Sequence, residues 1–165
     1  GLNATAGDAS ETTVSLREAL ATDKTALLQL EQALIKAERP FNASLKAKGA
    51  YYYDIDYLID DADTHLLVGE VSDEIIASGY VQIRRSKAAL NHDRHGYLGF
   101  MFVAENYRGQ GLNQLIMQRL IDWGKSQGVS DFYLDVYSQN ASAIRSYEKL
   151  GFSPTLMEMQ LRIED

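Results

Sequence analysis

The chain has 165 residues, no cysteine and a formal net charge of −7, and 45% of its residues are hydrophobic. This length and composition predict one globular domain, and the lack of cysteine excludes disulfide bonds and thiolate metal sites. The acidic balance argues against a general nucleic-acid-binding protein, which carries a basic surface. No apolar run approaches the ~18 residues of a membrane span, and the first residues lack a secretory signal pattern, so we expect a cytoplasmic protein without a membrane partner.

The first half of the sequence predicts a strand, a helix and a hairpin. Residues 1–12 are expected to be a flexible tail, and "TVSLREAL" predicts a strand at residues 13–20. Residues 22–39 predict an amphipathic helix that ends before Pro40. "HLLVGEV" and "EIIASGYVQIRR" then predict two strands that are joined by a tight turn.

The second half alternates strands and helices. "YLGFMFV", residues 97–103, is an apolar run of buried-strand length, and apolar residues recur at helical spacing from Leu112 to Trp123. "DFYLDVYS" alternates between an apolar and a polar face, so it predicts a strand. A helix is predicted from Asn140 to Gly151, and the alternating "TLMEMQLRI" predicts a strand that closes the chain.

The stretch "NYRGQGLNQ", residues 106–114, lies between the buried strand and the long helix. The first N–H groups of a helix have no partner within the helix, and the helix dipole favours an anion there. Glycines let such a loop turn and let a ligand approach the backbone closely. A P-loop is excluded, because Leu112 and Asn113 follow the second glycine, and a dinucleotide fingerprint lacks its third glycine because residue 114 is Gln.

Two blocks of the sequence, in this order, resemble the GNAT superfamily of N-acetyltransferases: "VAENYRGQGLNQLIMQRLIDWG" and "LDVYSQNASAIRSYEKLGF". The first is similar to the family's acetyl-CoA loop, R/Q-x-x-G-x-G/A, with Arg108, Gly111 and Asn113 at its fixed points. The family usually has Gly or Ala at the last of these points, and the side chain of Asn113 is large enough to crowd a pyrophosphate. The second block is similar to the one in which an Asn begins a helix and a Tyr follows seven residues later, here Asn140 and Tyr147.

The resemblance implies a single α/β domain over residues 1–165, with a mixed, largely antiparallel twisted sheet that is flanked by helices on both faces. It also implies acetyl transfer from acetyl-CoA to a primary amine of a small molecule, peptide or protein, by direct attack and without a metal. We expect a monomer or a homodimer. The alternatives are a non-catalytic acyl-CoA-binding module and, less favoured by the loop, a dinucleotide-binding domain.

The resemblance further implies which residues contact acetyl-CoA. The N–H groups of residues 109–114 are expected to bind the pyrophosphate. The backbone of residues 101–103 is expected to pair with the pantetheine arm as an added strand would, because the family's sheet splays there. Asn140 is expected both to reach the arm and to cap its helix. The expected cofactor-binding residues are Met101, Phe102, Val103, Arg108, Gly109, Gln110, Gly111, Leu112, Asn113, Gln114 and Asn140.

Tyr147 is the expected catalytic acid, because the family uses this tyrosine to protonate the CoA thiolate. A positioned proton donor accelerates a reaction by roughly 10²–10⁴. The alternative is a packing role on the apolar face of the helix, beside Ile144 and Leu150.

A general base is also needed, since an alkylamine with a pKa of ~10.4 is only about one part in 10³ neutral at pH 7. Asp135 is the expected base, because some protein N-terminal acetyltransferases of the family carry a Glu at the matching place. The alternative for Asp135 is an ordinary exposed carboxylate. Glu70 and Glu105 are weaker candidates.

Two further features have simpler interpretations. His92 and His95 could form a metal pair, but a solvated loop is favoured because no third ligand is near in sequence. The tyrosine- and aspartate-rich residues 51–63 fit either a wall of the acceptor site or an exposed acidic helix. Glu38 and Phe41 could belong to the same wall.

Overall fold

The computed structural model describes residues 3–6 and 12–164. The helices are α1 (Lys24–Glu38), α2 (Ile55–Asp60), α3 (Leu112–Ser126) and α4 (Ala141–Lys149). The strands are β1 (Asn3–Ala6), β2 (Thr12–Glu18), β3 (Thr64–Val71), β4 (Glu74–Arg85), β5 (Arg94–Val103) and β6 (Phe132–Leu134). Within these residues no helix is both long and apolar enough to cross a bilayer.

The six strands form one sheet in chain order, antiparallel from β1 to β5 and parallel between β5 and β6. Successive residues of β3 point to opposite faces: Leu67 packs in the core beneath α3, whereas Leu66 and Val68 pack in the core beneath α1 and α2. The predicted fold class, a mixed and largely antiparallel sheet with helices on both faces, is confirmed.

β5 contains a bulge that reverses the direction of its side chains. Tyr80 of β4 pairs with Gly99 and Ser78 pairs with Phe102, so two residues of β5, Phe100 and Met101, lie opposite Gly79 alone. Phe100 has a φ of +53°, in the left-handed region that non-glycine residues rarely adopt. As a result Leu98 packs in the α3 core whereas the Phe100 side chain enters the core beneath α1 and α2.

β6 follows β5 over only a short distance. The parallel pairing joins residues 96–98 to residues 132–134 and then ends, although β5 continues to Val103. The edge of β5 that faces β6 is therefore open beyond Leu98, as expected from the family resemblance. We call the space between the two strands beyond Leu98 and Leu134 the wedge.

The closing strand predicted over residues 155–163 is not formed. Residues 152–164 belong to no helix or strand, and the apolar side chains from Leu156 to Ile163 are exposed. The alternating pattern marks an amphipathic strand, but a strand also needs a partner edge, which this segment does not meet. Within the flexible tail predicted over residues 1–12, residues 3–6 form β1. Most of the predicted tail lies outside the described residues, so for that part it stays a prediction.

An ionic cluster joins β2, β3 and the start of α1. The Arg17 guanidinium donates to both carboxylate oxygens of Asp23, at 2.8 and 2.9 Å, and to Glu70 Oε2 at 2.8 Å. Asp23 Oδ2 also accepts from the Leu20 N–H at 2.7 Å. Asp23 is buried, and its hydrogen bonds with Arg17 lower the pKa of its carboxyl group.

Replacing this carboxylate tests its contribution to stability. Asp23→Asn keeps an oxygen for the Leu20 N–H but removes the charge, so we expect the free energy of unfolding at pH 7 to fall by about 1–3 kcal/mol. Since the folded-state pKa is depressed, this contribution is complete above the ordinary pKa of ~3.9 and is lost as pH falls through the folded value. Urea denaturation should show the two proteins converging below about pH 4. An equal difference at pH 7 and pH 2 would contradict the ionic role.

Candidate functional site

The loop before α3 has the geometry of an anion site. Gly109 and Gly111 both have a φ of +78°, and Gly111 is the N-cap residue of α3. The first helical hydrogen bond runs from Leu115 N to Gly111 O at 3.1 Å. Within the described part of the chain, no group accepts from the amides of residues 112–114, which precede that bond. A β-carbon on either glycine would meet nothing within 4 Å, so the space in front of the loop is open.

Arg108 ties this loop to the end of β5. Its Nε donates to Val103 O at 2.8 Å, and its guanidinium carbon lies 5.4 Å from the centre of the Phe102 ring. The arginine therefore fixes the loop relative to the open edge of β5, and the rest of its guanidinium stays on the surface. Gln110 and Gln114 are exposed, whereas Asn113 is half-buried at the first turn of the helix.

The other side of the wedge is formed by the segment that leads into α4. Asn140 is the N-cap residue of α4, and its Oδ1 accepts from Ala143 N at 3.2 Å. The capping role expected for Asn140 is thus present, and its amide Nδ2 donates to no other residue among those described. α4 then presents Tyr147 two turns further on.

Tyr147 is half-buried, with its ring edge-on to Phe152 at 6.2 Å. Burial raises the pKa of Tyr147 to about 12, and the negative charge of nearby Glu38 adds to the effect. Its hydroxyl makes no hydrogen bond to another described residue. Tyr147 is therefore fully protonated at neutral pH and has a proton to donate.

Glu38, at the last turn of α1, lies in a cluster that we call the acceptor cleft: Glu38, Asn42, Tyr52, Tyr137 and Tyr147. Burial raises the pKa of the Glu38 carboxyl group, and a hydrogen bond from the Tyr52 hydroxyl partly offsets this. The Tyr52 and Tyr137 hydroxyl oxygens are 3.5 Å apart, and Asn42 Nδ2 donates to Tyr137 Oη at 3.0 Å. The sequence indicated Glu38 only weakly and did not single out Asn42 or Tyr137. Tyr137 was recognisable as a member of the polar face of "DFYLDVYS".

A fully buried carboxylate positions one wall of the cleft. Glu31 Oε2 accepts from the amides of Tyr52 and Tyr53, at 2.9 and 2.8 Å, and its Oε1 has no partner among the described residues. The Tyr53 ring stacks on Phe100 at 4.6 Å, and its hydroxyl oxygen accepts from Phe100 N at 3.1 Å. Glu31 therefore fixes the backbone of Tyr52 and, through Tyr53, supports the bulge of β5.

Asp135 is placed outside the acceptor cleft's hydrogen-bond network. It is exposed and accepts from the Tyr97 hydroxyl at 2.8 Å. The guanidinium carbon of Arg84 lies 3.9 Å from the centre of the Tyr97 ring. Of the weaker candidates, Glu70 is paired with Arg17 and Glu105 is exposed in the turn after β5.

His92 and His95 are not simply solvated. Both Nδ1 atoms lie 2.8 Å from Ser86 Oγ, and His92 Nε2 lies 2.9 Å from the Tyr133 hydroxyl oxygen. Both rings are half-buried and pack beside Tyr133, which corrects the expectation of a solvated loop. Among residues 3–6 and 12–164, no three His, Cys, Asp or Glu side chains are grouped as a metal site would require.

The tyrosine- and aspartate-rich segment serves two purposes. Its tyrosines at 52 and 53 contribute to the site as described above. Its aspartates are used locally: Asp54 caps α2, Asp56 pairs with Lys24 at 2.6 Å, and Asp61 accepts from Thr64 Oγ1 at 2.6 Å. Only Ile55–Asp60 form a helix, so the exposed acidic helix covers part of the segment, and the acceptor wall stays a prediction for its tyrosines.

A family model described as "Acetyltransferase (GNAT) family" matches residues 30–152, which include the loop, the wedge and all five residues of the acceptor cleft. The chain belongs to this family. The resemblance read from the two sequence blocks is confirmed.

Two N-acetyltransferases match part of this chain in sequence. YobR of Bacillus subtilis (strain 168), an uncharacterized N-acetyltransferase, is 36% identical over 72 residues, covering 44% of this chain and 29% of YobR. The [ribosomal protein bS18]-alanine N-acetyltransferase of Escherichia coli (strain K12) is 41% identical over 51 residues, covering 31% of this chain and 34% of that enzyme. The chain thus spans about a third of the length of these curated relatives.

Solved structures match over nearly the whole chain. A mutant of the BH1408 protein from Bacillus halodurans has a TM-score of 0.81 at 21% identity, covering 91% of this chain and 99% of that one. A predicted acetyltransferase from Clostridium acetobutylicum, solved with acetyl-CoA, has a TM-score of 0.70 at 18% identity, covering 90% of this chain and 96% of that one. At these identities the similarity shows the GNAT fold.

Binding of acetyl-CoA is the first test of this site. Acetyl-CoA at ~100 times its Kd should stabilise the native state by about 2.7 kcal/mol and raise Tm, whereas NAD should not. Gly111→Val should abolish the shift, because valine disfavours the positive φ and its side chain fills the anion site.

The matched control for this substitution is Gly49→Val. Gly49 has a φ of +69° and open space around it, so this variant bears similar backbone strain away from the loop. It should lower Tm without ligand and keep the acetyl-CoA shift. An unchanged shift in Gly111→Val would contradict binding at the start of α3.

Proposed function

We propose that the protein transfers the acetyl group of acetyl-CoA to a primary amine. The observation that carries this proposal is the wedge between β5 and β6. The anion-binding loop follows β5, the helix with Tyr147 follows β6, and the carboxylate of Glu38 is close enough to raise the pKa of that tyrosine. The family membership and the acetyl-CoA in the Clostridium acetobutylicum structure support the same activity.

Acetyl-CoA is proposed to bind along the wedge. The amides of residues 109–114 hold the pyrophosphate, with Arg108 keeping the loop beside β5. The open backbone edge of residues 101–103 pairs with the amides of the pantetheine arm, and Asn140 Nδ2 donates to it from the other side. The thioester carbonyl is thereby fixed beside Tyr147. An amine in the acceptor cleft then attacks with much of its translational entropy already lost.

Tyr147 is proposed as the proton donor. The amine nitrogen attacks the thioester carbonyl and gives its surplus proton to a general base, the C–S bond breaks, and the thiolate takes the Tyr147 proton. The tyrosinate then regains a proton from solvent. With a tyrosine pKa of about 12 and a thiol pKa of ~8.5, this transfer is uphill by roughly 3.5 units, or about 5 kcal/mol. That is small beside a barrier of roughly 16 kcal/mol for turnover at ~10 per second, so the proton transfer is feasible. An acid and a carboxylate beside the wedge also favour turnover over a non-catalytic acyl-CoA-binding module.

Two carboxylates are candidates for the general base. Glu38 lies in the acceptor cleft, and burial raises its pKa towards the range in which a carboxylate accepts protons effectively near neutral pH. Asp135, the base predicted from sequence, is exposed and bonded to Tyr97. We propose Glu38 as the base and keep Asp135 as the alternative, because Glu38 is half-buried near Tyr147 whereas Asp135 is exposed and already accepts from the Tyr97 hydroxyl.

The acceptor is proposed to be a cationic amine in a small molecule or a peptide. The cleft offers the Glu38 carboxylate, two tyrosine rings for contact with a cation, and the Asn42 side chain for a polar group. The bS18-alanine N-acetyltransferase, by its name, acts on an alanine of a protein, which is compatible with a peptide acceptor. A cytoplasmic location is part of the proposal.

Release of free thiol from acetyl-CoA, measured over a panel of polyamines, aminoglycosides, amino acids and N-terminal peptides, tests the proposal. With the best acceptor, Tyr147→Phe should reduce kcat ~10–10³-fold and leave the KM for acetyl-CoA nearly unchanged, because only the donor hydroxyl is lost. Tyr133→Phe is the control, since the Tyr133 hydroxyl bonds to His92 outside the cleft. Thiol release by no acceptor, with acetyl-CoA bound, would favour the binding module.

The pH dependence separates the two candidate bases. Glu38→Gln should reduce kcat/KM roughly 10²-fold at pH 7 and much less at pH 9–10, where the free amine is already abundant. Asp135→Asn should have a small effect at every pH. If only Asp135→Asn showed the pH-dependent loss, Asp135 would be the base. A uniform loss in Glu38→Gln would instead indicate that Glu38 binds the cationic acceptor.

A further inference from the structure

The last segment of the chain, residues 155–163, has the pattern of a strand without the burial of one. Its residues at odd positions from Met157 to Ile163 are apolar, and Glu158, Gln160 and Arg162 alternate with them. In the structure Met157, Met159, Leu161 and Ile163 are 79%, 85%, 82% and 74% exposed. A row of large apolar side chains on one face of an extended segment is typical of a strand that packs on a core.

The backbone of this segment is unpaired as well. None of residues 153–164 makes a backbone hydrogen bond to another described residue. Its one side-chain hydrogen bond to the rest of the described chain is from Gln160 Nε2 to Ser44 Oγ, at 3.1 Å. The segment therefore passes the loop after α1 on its own molecule without joining the sheet.

The sheet has a matching open edge. β6 is the last strand in the order, so the edge that faces away from β5 has no partner among the described strands. All three residues of β6 are only half-buried, and no residue of α4 is fully buried. Phe132, Leu134, Leu150 and Phe152 all pack on the α3 core and remain partly exposed, and Val136 beside them is 37% exposed. This part of the core is incompletely covered.

We propose that residues 155–163 pair with the β6 edge of a second copy of this chain, in a reciprocal two-fold dimer. One chain carries both an unpaired amphipathic strand and an unpaired sheet edge above partly exposed apolar side chains. In the described chain both features are unpaired, and a closed two-fold arrangement satisfies both of them in each copy. The added strand gives the segment its hydrogen bonds and buries the face of Met157, Met159, Leu161 and Ile163.

The test is the mass of the 165-residue chain in solution by sedimentation velocity. The wild type should sediment as a dimer of the 18.4 kDa chain at tens of micromolar. Leu161→Arg places a charge on the apolar face and should weaken the dimer roughly 30-fold or more, the effect of losing a central interface anchor. Its far-UV circular dichroism should keep the helical signal of the wild type and lose only strand signal, because Leu161 is exposed in the monomer. Glu158→Arg, with the same new residue on the polar face, should remain dimeric.

Amide hydrogen exchange separates strand exchange from other arrangements. Amides of residues 155–163 should be protected at high protein concentration, and both dilution and Leu161→Arg should remove this protection. A wild type that is monomeric at this concentration would overturn the proposal, as would a dimer that Leu161→Arg leaves intact. Concentration-independent protection would show that the segment folds onto its own sheet, which also contradicts it.

Discussion

The backbone reversal at Phe100 is the constraint on which the site depends. It places two residues of β5 opposite one of β4, changes the face on which the later side chains lie, and precedes the open edge of residues 101–103. A non-glycine residue at a φ of +53° costs of order 1–3 kcal/mol. Ser78 Oγ donates to Phe100 O at 2.8 Å, and Tyr53 Oη accepts from Phe100 N, so both polar groups of the strained residue are satisfied.

The same residues connect the bulge to the acceptor cleft. Glu31 holds the amides of Tyr52 and Tyr53, so one buried carboxylate fixes the tyrosine that supports Phe100 and the tyrosine that contacts Glu38. A β-carbon on Gly79 would lie 2.7 Å from Met101 Sδ and 2.9 Å from Ile116 Cγ2, so a larger residue there would have to displace these side chains beside the bulge. The site thus brings together an anion-binding side, where amides precede α3, and a cation-attracting side at the end of α1.

Features encoded by adjacent residues could be predicted from the sequence. The glycines before α3, the cap at Asn140 and the alternation that separates Leu134 from Asp135 each depend on a few neighbouring positions, and the structure has all three. Their arrangement matched a family, and that resemblance predicted the splay of the sheet. The acceptor cleft depends on long-range contacts instead: Asn42 and Tyr137 are 95 residues apart in sequence. No local pattern marks such a pair, nor the bulge at Phe100, since a buried apolar run looks the same with or without it.

The central claim is that acetyl-CoA lies along the open edge of β5, and single-residue amide exchange measured by NMR tests it most directly. On saturation with acetyl-CoA, the amides within residues 101–103 and 109–114 should become protected, whereas those of residues 96–98, already paired in the sheet, should not change. Protection confined to other parts of the chain, or none at residues 101–103, would contradict the account.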